Sequence, residues 1–551
     1  MQTKSTRVRP AIAATLFALA LSGCATSPAP KAPTRPAAWA APETLVKPSA
    51  LHGVHGLAID SKGRLLAGTV VGNDMWEVDR QTGKAQVLIA SPEGQADDIA
   101  IGPKGELAWT SYLQGVLRMR DNDSAPTRVV AKGLPGINSL AFDQKNGKLY
   151  ASQVFLGDAL WEMDPASQKP PRLIAKDLGG FNGFEVGPDG MLYGPLWFKG
   201  QVVRINPANG AVTVINNEFK VPAAANLDGK GNLWAIDTRT GELAKVDLAS
   251  GRKTVVAQLD TALDNLAIAP EGTIYVSNMA DNAITEVNPA NGKTRTVLSG
   301  ELAVPGSMKL DNGQLWIADT FAFRRIDVRT GKVTDIARMQ SSDLEYPAMV
   351  GMGNGQLALV SWFTNTVQLV DRKTLKTVAM LHGFKTPYDA IPMDDGSLLV
   401  IEIATGNLLR VSGEKHDVRS VVASGLAGPV QMVLGQDGQL YLTEAAGNLL
   451  RIDLATGAKK VVASGLTMPE GLAQTPWGSF IVAEPKAARL TEIDPANGQR
   501  RTVAENLPIG LEGGPGMPPP YNPTGVAVGD DGVIYLSADR NNAVLKIRPR
   551  P

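Results

Sequence analysis

A pattern of about forty residues recurs roughly twelve times between residue 52 and the end of the chain. Each copy contains a short apolar strand, a glycine turn, a second strand, a third strand that ends near an acidic residue or Asn, a further glycine turn and a fourth strand. Four short strands in forty residues are typical of one blade of a β-propeller. The copies begin near residues 52, 94, 135, 179, 221, 261, 303, 345, 385, 427, 467 and 521.

The number of copies predicts an all-β fold of tandem β-propellers with about twelve four-stranded blades. A single blade cannot bury both of its faces, so blades must stack and the ring must close. Rings usually hold roughly four to eight blades. We therefore predict two six-bladed rings, residues 43–304 and 305–551, with few contacts across the junction near residue 305. A single ring of twelve blades around a wide hole is the alternative.

The two ends of the repeat region predict how the fold closes. The last copy stops after its third strand, at residues 544–548, and residues 43–51 have the character of a spare outer strand. Pairing of this segment with the final blade would join the two ends of the chain. The alternative is a frayed N-terminal arm.

The first 42 residues predict export and lipid anchoring. A basic start and an apolar run at 11–21 precede the sequence Leu-Ser-Gly-Cys, which ends at Cys24 and resembles the bacterial lipoprotein signal. We assign 1–23 to a signal peptide, Cys24 to lipidation and the Pro/Ala-rich residues 24–42 to an extended linker. No Asp follows Cys24, which favours an outer-membrane anchor in the bacterial cell envelope, facing the periplasm or the surface. The alternative is a secretory signal with an incidental cysteine.

Composition narrows the function classes. Lys plus Arg equals Asp plus Glu, at 54 each, so the net charge is zero and a nucleic-acid partner is disfavoured. The single cysteine excludes an intrachain disulfide.

One position in each blade is expected to point into the mouth of the central channel. In the first ring, five of its six residues are polar, whereas in the second ring most are small or apolar. The first set is His55, Asp97, Asn138, Asn182, Ala223 and Asp264, and the second set is Gly306, Ala348, Tyr388, Val430, Glu470 and Thr524.

The polar set predicts a divalent metal site on the axis of the first ring. Carboxylate and amide oxygens suit a hard cation, Ca²⁺ first and Mg²⁺ or Mn²⁺ next. The expected ligands are Asp97, Asn138, Asn182 and Asp264, with Asn265 as a further ligand or in support. A water-filled channel with polar walls is the alternative.

Short motifs at the blade starts resemble the family of gluconolactonase, senescence marker protein and luciferin-regenerating enzyme, and the related paraoxonases. The motifs are 182–183 (Asn-Gly), 264–266 (Asp-Asn-Leu), 97–99 (Asp-Asp-Ile) and 55–57 (His-Gly-Leu). The resemblance covers roughly residues 50–304 and implies six-bladed, metal-dependent lactonases and esterases, with His55 in the position of the catalytic histidine. The family's N-terminal Glu ligand has no clear counterpart, and Ala223 leaves one blade without a polar residue.

The second half has acidic or small residues at the end of the second strand of each blade, and its repeats resemble those of streptogramin lyase and NHL proteins. We interpret these residues as solvated rim carboxylates that close turns, since His382 and His416 do not fall at inner positions. The residues are Asp319, Ser361, Glu402, Glu444, Glu484 and Ala538. The Pro-rich insertion 515–523 is predicted to be a flexible surface turn, with a binding loop as the alternative.

Two functions follow. The first is a metal-dependent hydrolase of a small lactone or ester, in which His55 acts as general base. The second is a non-catalytic scaffold that binds a protein or a glycan at the cell envelope. Fold alone does not decide between them.

Overall fold

The computed structural model describes residues 34–550. Within this range almost all regular structure is β-strand, and the two helical turns are short 3-10 segments at Trp197–Lys199 and Pro485–Ala487. No helix among these residues has the length and apolar character needed to cross a membrane.

The strands form twelve antiparallel sheets of four, which we call blades 1 to 12 in chain order of their innermost strands. Blade 1 consists of Val54–Ile59, Leu65–Thr69, Met75–Val78 and Ala85–Ile89. Blade 2 consists of Ile99–Ile101, Leu107–Ser111, Val116–Arg120 and Arg128–Lys132. Blade 3 consists of Ile137–Phe142, Leu149–Gln153, Ala159–Met163 and Arg172–Lys176. Blade 4 consists of Glu185–Val186, Leu192–Leu196, Gln201–Ile205 and Val212–Asn216. Blade 5 consists of Pro222–Leu227, Asn232–Asp237, Glu242–Asp247 and Lys253–Gln258. Blade 6 consists of Leu263–Ile268, Ile274–Asn278, Ala283–Val287 and Thr294–Leu298.

The second half repeats this arrangement. Blade 7 consists of Met308–Asp311, Gln314–Asp319, Ala322–Asp327 and Val333–Arg338. Blade 8 consists of Met349–Gly353, Gln356–Ser361, Thr366–Asp371 and Thr377–Leu381. Blade 9 consists of Pro387–Pro392, Leu398–Glu402, Asn407–Ser412 and Val418–Ala423. Blade 10 consists of Pro429–Leu434, Leu440–Glu444, Asn448–Ile452 and Lys459–Ser464. Blade 11 consists of Leu472–Gln474, Phe480–Glu484, Arg489–Ile493 and Arg500–Ala504. Blade 12 consists of Val526–Val528, Ile534–Ala538, Ala543–Ile547 and, outermost, Glu43–Val46.

The innermost strands pack in two closed cycles. Blades 1 to 6 follow one another in order, and Val54–Ile59 of blade 1 packs against Leu263–Ile268 of blade 6. Blades 7 to 12 do the same, and Met308–Asp311 of blade 7 packs against Val526–Val528 of blade 12. The fold class predicted from the repeats, tandem propellers with two six-bladed rings, is therefore the one observed.

The closure predicted from the ends of the chain is also confirmed. Glu43–Val46 pairs antiparallel with Ala543–Ile547 and supplies the missing fourth strand of blade 12. Val46 is buried in the core between blades 12 and 7. The chain then crosses from the second ring to blade 1, so its first strand and its first blade lie in different rings.

The end of the predicted linker is not a free spacer. Ala38–Trp39 pairs with Pro549–Arg550, and Trp39 packs against Trp477 of blade 11 with ring centroids 5.9 Å apart. Arg35 also forms an ion pair with buried Glu492 at 2.9 Å. Residues 35–46 therefore belong to the second ring, although the sequence places a linker up to residue 42 and the first ring from residue 43.

Buried side chains on the innermost strands connect neighbouring blades around each axis. The Asp98 carboxylate of blade 2 accepts the Leu140 N–H of blade 3 at 3.2 Å and the Asn265 side-chain amide of blade 6 at 2.8 Å. In the second ring, Glu470 accepts the Thr524 N–H at 2.7 Å. The bonds from Leu140 and Thr524 satisfy backbone donors that would otherwise be left without partners between neighbouring blades. The bond from the Asn265 side chain joins blades 6 and 2, which lie on either side of blade 1.

The two rings dock closely, which contradicts the expectation of few contacts across residue 305. Arg338 of blade 7 donates to both carboxylate oxygens of Asp281 in blade 6, at 2.7 and 2.6 Å. Arg324 of blade 7 is buried, with 4% of its side chain exposed, and donates to the Ala280 carbonyl of blade 6. A sequence repeat specifies the blades, whereas these ring-to-ring contacts join arginines on two strands of blade 7 to a loop of blade 6.

Candidate functional site

The predicted polar residues of the first ring meet at one place. His55, Asp97, Asn138, Asn182 and Asp264 all line a cavity of about 80 Å³ at the mouth of the first ring. Such a volume holds a few water molecules or a small organic group. The propeller topology brings these residues together because each lies near the start of an innermost strand, and these starts surround the axis.

Asp97, which is buried, and Asp264, which is half-buried, form a carboxylate pair at this cavity. Burial raises the pKa of Asp97 well above its usual range, and the negative charge of Asp264 raises it further. Burial also raises the pKa of Asp264, to about 7. No donor or positive charge among residues 34–550 lowers either pKa. Two desolvated like charges favour either a bound cation or a shared proton.

The amides of Asn138 and Asn182 are held by one hydroxyl. Ser139 Oγ lies 2.9 Å from Asn138 Oδ1 and 2.7 Å from Asn182 Oδ1, and it accepts the Gly183 N–H at 2.7 Å. Asn182 Oδ1 also accepts the Gly183 N–H at 3.0 Å. A hydroxyl donates one hydrogen bond, so Asn138 Oδ1 keeps both lone pairs for a ligand when Ser139 donates to Asn182. Ser139 therefore fixes two candidate ligand side chains in blades 3 and 4.

Asn265 does not line this cavity. It lies in a second, deeper cavity of the same channel, of about 260 Å³, together with Asp98 and Glu185. Its amide donates to Asp98 and its side-chain oxygen accepts the Leu266 N–H at 2.7 Å. Successive residues of a strand point to opposite sides, so Asp264 and Asn265 cannot both face the mouth.

The deeper cavity has its own carboxylates. Burial raises the pKa of Asp98 to about 7, although hydrogen bonds from Ile99, Leu140 and Asn265 oppose the rise. Burial likewise raises the pKa of Glu185 to about 7. The Asp98 carboxylate accepts three hydrogen bonds from protein donors, so we assign it a structural role.

His55 has one committed and one free ring nitrogen. Nδ1 lies 2.8 Å from the Gly53 carbonyl oxygen, which can only accept, so Nδ1 carries the proton and Nε2 keeps its lone pair. Burial lowers the pKa of His55 to about 4. His55 is therefore neutral at neutral pH, and Nε2 is available as a base or a ligand.

The opposite wall of the cavity comes from the second ring, and the predicted site residues do not include it. Its aromatic side chains are Phe321, Tyr346, Trp362, Phe363 and Tyr521. Trp362 contacts Phe363 and Tyr521, with ring centroids 5.9 and 5.8 Å apart. The site is thus a chamber between the two propellers, with the polar residues on the first ring and aromatic residues on both rings.

The aromatic residues that line the chamber have a recognisable position in the sequence repeat. Aromatic residues occur just after the second strand of several blades that face the chamber, where other blades carry turn residues. These residues are Tyr112, Phe155, Trp197, Phe321 and Trp362. In blades 9 to 12 no aromatic residue directly follows the second strand.

Phe155 marks the side of the chamber that is open to solvent. Its side chain is 41% exposed, and its ring lies edge-on to Trp197 and Phe198 at 5.1 and 5.6 Å. Leu156 and Phe198 are exposed beside it. Access to the chamber therefore runs past an apolar rim.

The last part of the Pro-rich insertion, residues 520–523, is buried at this chamber, whereas residues 515–519 are exposed or partly exposed, as expected for a surface turn. Tyr521 and Asn522 are buried and line the cavity. Trp362 donates to the Tyr521 carbonyl at 3.0 Å, and Tyr388 of blade 9 donates to the Pro520 carbonyl. Tyr521 and Asn522 thus have the position expected for the alternative prediction, a loop that shapes a binding site.

The acidic residues of the second ring close turns, as expected, but they are buried and not solvated. Glu402, Glu444 and Glu484 each accept a backbone N–H from the loop that leads into their own blade, at 2.8, 2.7 and 2.6 Å. Their exposure is 4% or less. They hold the loops and do not form a second polar site.

The oxygen donors that line the chamber are of the kind that binds a divalent cation. Two carboxylates without protein partners and two amide oxygens match the oxygen ligands that Ca²⁺ prefers. Among residues 34–550 no group of three or more His, Cys, Asp or Glu side chains is arranged to hold a metal ion. The fit therefore depends on Asp97 and Asp264 with the two amides.

Cys24, the predicted lipidation site, lies outside the described residues. The signal peptide and the membrane anchor therefore remain predictions.

The chain is distantly similar to one repeat family and to several solved structures. A repeat of unknown function (DUF6923) matches residues 255–387. The extracellular domain of a one-component system from B. thetaiotaomicron is 12% identical, with 92% of this chain and 82% of that chain covered and a TM-score of 0.31. The tricorn protease is 12% identical, with 90% and 61% covered and a TM-score of 0.36. Similarity at this level carries no inference about function, and no curated protein matches significantly.

Proposed function

We propose that this chain is a divalent-cation-dependent hydrolase of a small ester or lactone, with its site in the chamber between the two propellers. The observation that carries the proposal is the carboxylate pair of Asp97 and Asp264, which faces a cavity and has no hydrogen-bond donor among residues 34–550. The resemblance of the blade-start motifs to gluconolactonase and the paraoxonases supports the same reaction class.

The protein residues have distinct roles in this proposal. Asp97, Asp264, Asn138 and Asn182 would hold Ca²⁺, or Mg²⁺ or Mn²⁺ in its place. A bound cation supplies Lewis acidity toward a carbonyl oxygen. His55 Nε2 accepts a proton from the attacking water, while the Gly53 carbonyl holds the imidazole in the required tautomer. The same proton then passes to the leaving alkoxide when the acyl C–O bond breaks.

The hydrolase proposal is tested with the purified full chain. Phenyl acetate, dihydrocoumarin and γ-butyrolactone are offered with Ca²⁺, Mg²⁺ or Mn²⁺ and with a chelator. We expect hydrolysis that requires a cation, is lost in Asp264→Asn and persists in Asp121→Asn, whose side chain is 60% exposed. The proposal would be overturned if none of these three substrates is hydrolysed in the presence of any of the three cations.

A second candidate is binding without catalysis. The lowered pKa of His55, about 4, makes it a weak base at neutral pH, and this favours a receptor or scaffold for a small molecule, a glycan or an envelope protein. Saturable binding of a lactone without turnover would select this function.

The proposed place of action is the bacterial cell envelope, through a lipid on Cys24. Cys24→Ser should release the protein from the membrane fraction. Equal membrane association of the variant and the wild type would contradict the anchor.

A further inference from the structure

Tyr346 of the second ring lines the same cavity as the carboxylate pair of the first. Tyr346, in the loop between blades 7 and 8, lines the cavity, and its pKa is raised by burial and by the charges of Asp264 and Asp97. The pKa of Tyr112, in the first ring, is likewise raised by burial and by its neighbours Tyr346 and Asp97. The Tyr346 side chain therefore faces the same chamber as Asp97 and Asp264.

The Tyr346 backbone is held in an unfavourable conformation. Its φ is +39°, in the left-handed region, and Pro347 follows it. A bulky residue with positive φ costs energy and persists only where the surroundings determine it, most often at binding and catalytic sites. Thr320, Gln340 and Phe155 also line the cavity and also have positive φ, at +38°, +64° and +67°.

Aromatic packing fixes the Tyr346 ring. Phe363 lies edge-on at 5.2 Å and Phe321 at 6.2 Å between ring centroids. Ser342 Oγ donates to the Arg338 carbonyl at 2.7 Å, which anchors the same loop beside the contact between the rings. The position of the hydroxyl is thus set by the docking of the second ring.

We propose that Tyr346 is a substrate-contacting residue supplied by the second propeller, which donates a hydrogen bond to the carbonyl oxygen of a small neutral ligand whose apolar group packs on Trp362 and Phe363. A hydroxyl aimed at the site of a developing negative charge stabilises it there, and the aromatic wall selects a flat apolar group. The role of Tyr346 in the reaction rests on the proposed hydrolase function. Its hydrogen bond to a bound ligand does not depend on that function. The second ring is then the specificity half of the site.

The test uses acetophenone, a ketone with an aromatic ring that cannot be hydrolysed, titrated calorimetrically into the full chain with Ca²⁺. Loss of one neutral hydrogen bond should weaken binding about three- to tenfold in Tyr346→Phe. Trp362→Leu should weaken it further. The matched control is Tyr535→Phe, since Tyr535 is buried in the core between blades 12 and 7 and does not line the cavity.

A spectroscopic measurement separates a direct contact from a structural role. The infrared carbonyl band of bound acetophenone should lie at lower frequency in the wild type than in Tyr346→Phe, because a hydrogen bond weakens the C=O bond. An unchanged band and affinity in Tyr346→Phe, or no binding to the wild type, would overturn the inference. Binding that depends on Tyr346, without hydrolysis of phenyl acetate, dihydrocoumarin or γ-butyrolactone in the presence of any of the three cations, would instead overturn the proposed hydrolase and leave this inference standing.

Discussion

Phe321 of the second propeller packs edge-on against the His55 imidazole of the first, with ring centroids 5.2 Å apart. Phe321 also fills the space beside Gly53, where a Cβ atom would lie 2.1 Å from its ring. Gly53 in turn accepts the His55 Nδ1–H. The second ring therefore fixes the orientation of the histidine that the first ring presents.

Replacement of Phe321 should affect both stability and His55. Phe321→Ala removes a side chain that is 1% exposed and should lower the free energy of unfolding by about 3–5 kcal/mol. It should also admit water to His55 and raise the pKa of its imidazole, as measured by NMR titration. Phe323→Ala is the matched control, since Phe323 is equally buried but stacks on Trp316 within the second ring. A similar shift of the His55 pKa in both variants would contradict this account.

Acid should destabilise the protein through His55. Its pKa of about 4 in the folded state lies below the model-peptide value of 6.5, so the unfolded chain binds the proton more tightly. The free energy of unfolding should fall as pH drops from 6.5 to 4, by about 3 kcal/mol from this residue when no cation is bound. The free energy of unfolding, measured with denaturant at several pH values, should depend less steeply on pH in His55→Gln than in the wild type. Parallel curves would contradict this account, because they would show that His55 has the same pKa in the folded and the unfolded state.

The buried arginine between the rings should be essential to stability. Arg324 pairs with Asp319 and Asp335 at 2.9 Å, and Asp319 is fully buried. Arg324→Met leaves that carboxylate without its cation and should cost about 3–5 kcal/mol. Arg410→Met, which breaks a pair with the 62% exposed Asp395, should cost about 1 kcal/mol or less. Equal losses in the two variants would show that burial of the pair has no effect.

The N-terminal strand should hold the second ring closed. Val46→Asp places a charge in the core between blades 12 and 7, where Val46 is 1% exposed, and should cost about 3 kcal/mol or more. Thr44→Asp changes an exposed position of the same strand and should be nearly neutral. Limited proteolysis provides a second readout, with faster cleavage near residue 46 expected only in the Val46 variant. Wild-type resistance of Val46→Asp would mean that the strand does not close the ring.

The sequence predicts the fold and half of the site for the same reason. Every blade follows one register, so the start of each innermost strand can be located by counting, and His55, Asp97 and Asp264 fall at one mouth. The alternation of side chains along a strand also explains why Asn265 turns away. Tyr346 and Tyr521 could not be placed in this way, because they lie in loops between repeats and reach the site only when the two rings dock.

Calcium binding to the carboxylate pair tests the central claim most directly. Thermal unfolding of the wild type, Asp264→Ala and Asp121→Ala is followed with and without Ca²⁺, since a ligand bound only by the folded state stabilises it by about 2.7 kcal/mol at a hundred times its Kd. We predict that Ca²⁺ raises Tm in the wild type and in Asp121→Ala but not in Asp264→Ala. Equal stabilisation of all three proteins, or no stabilisation of any, would contradict a cation site at Asp97 and Asp264.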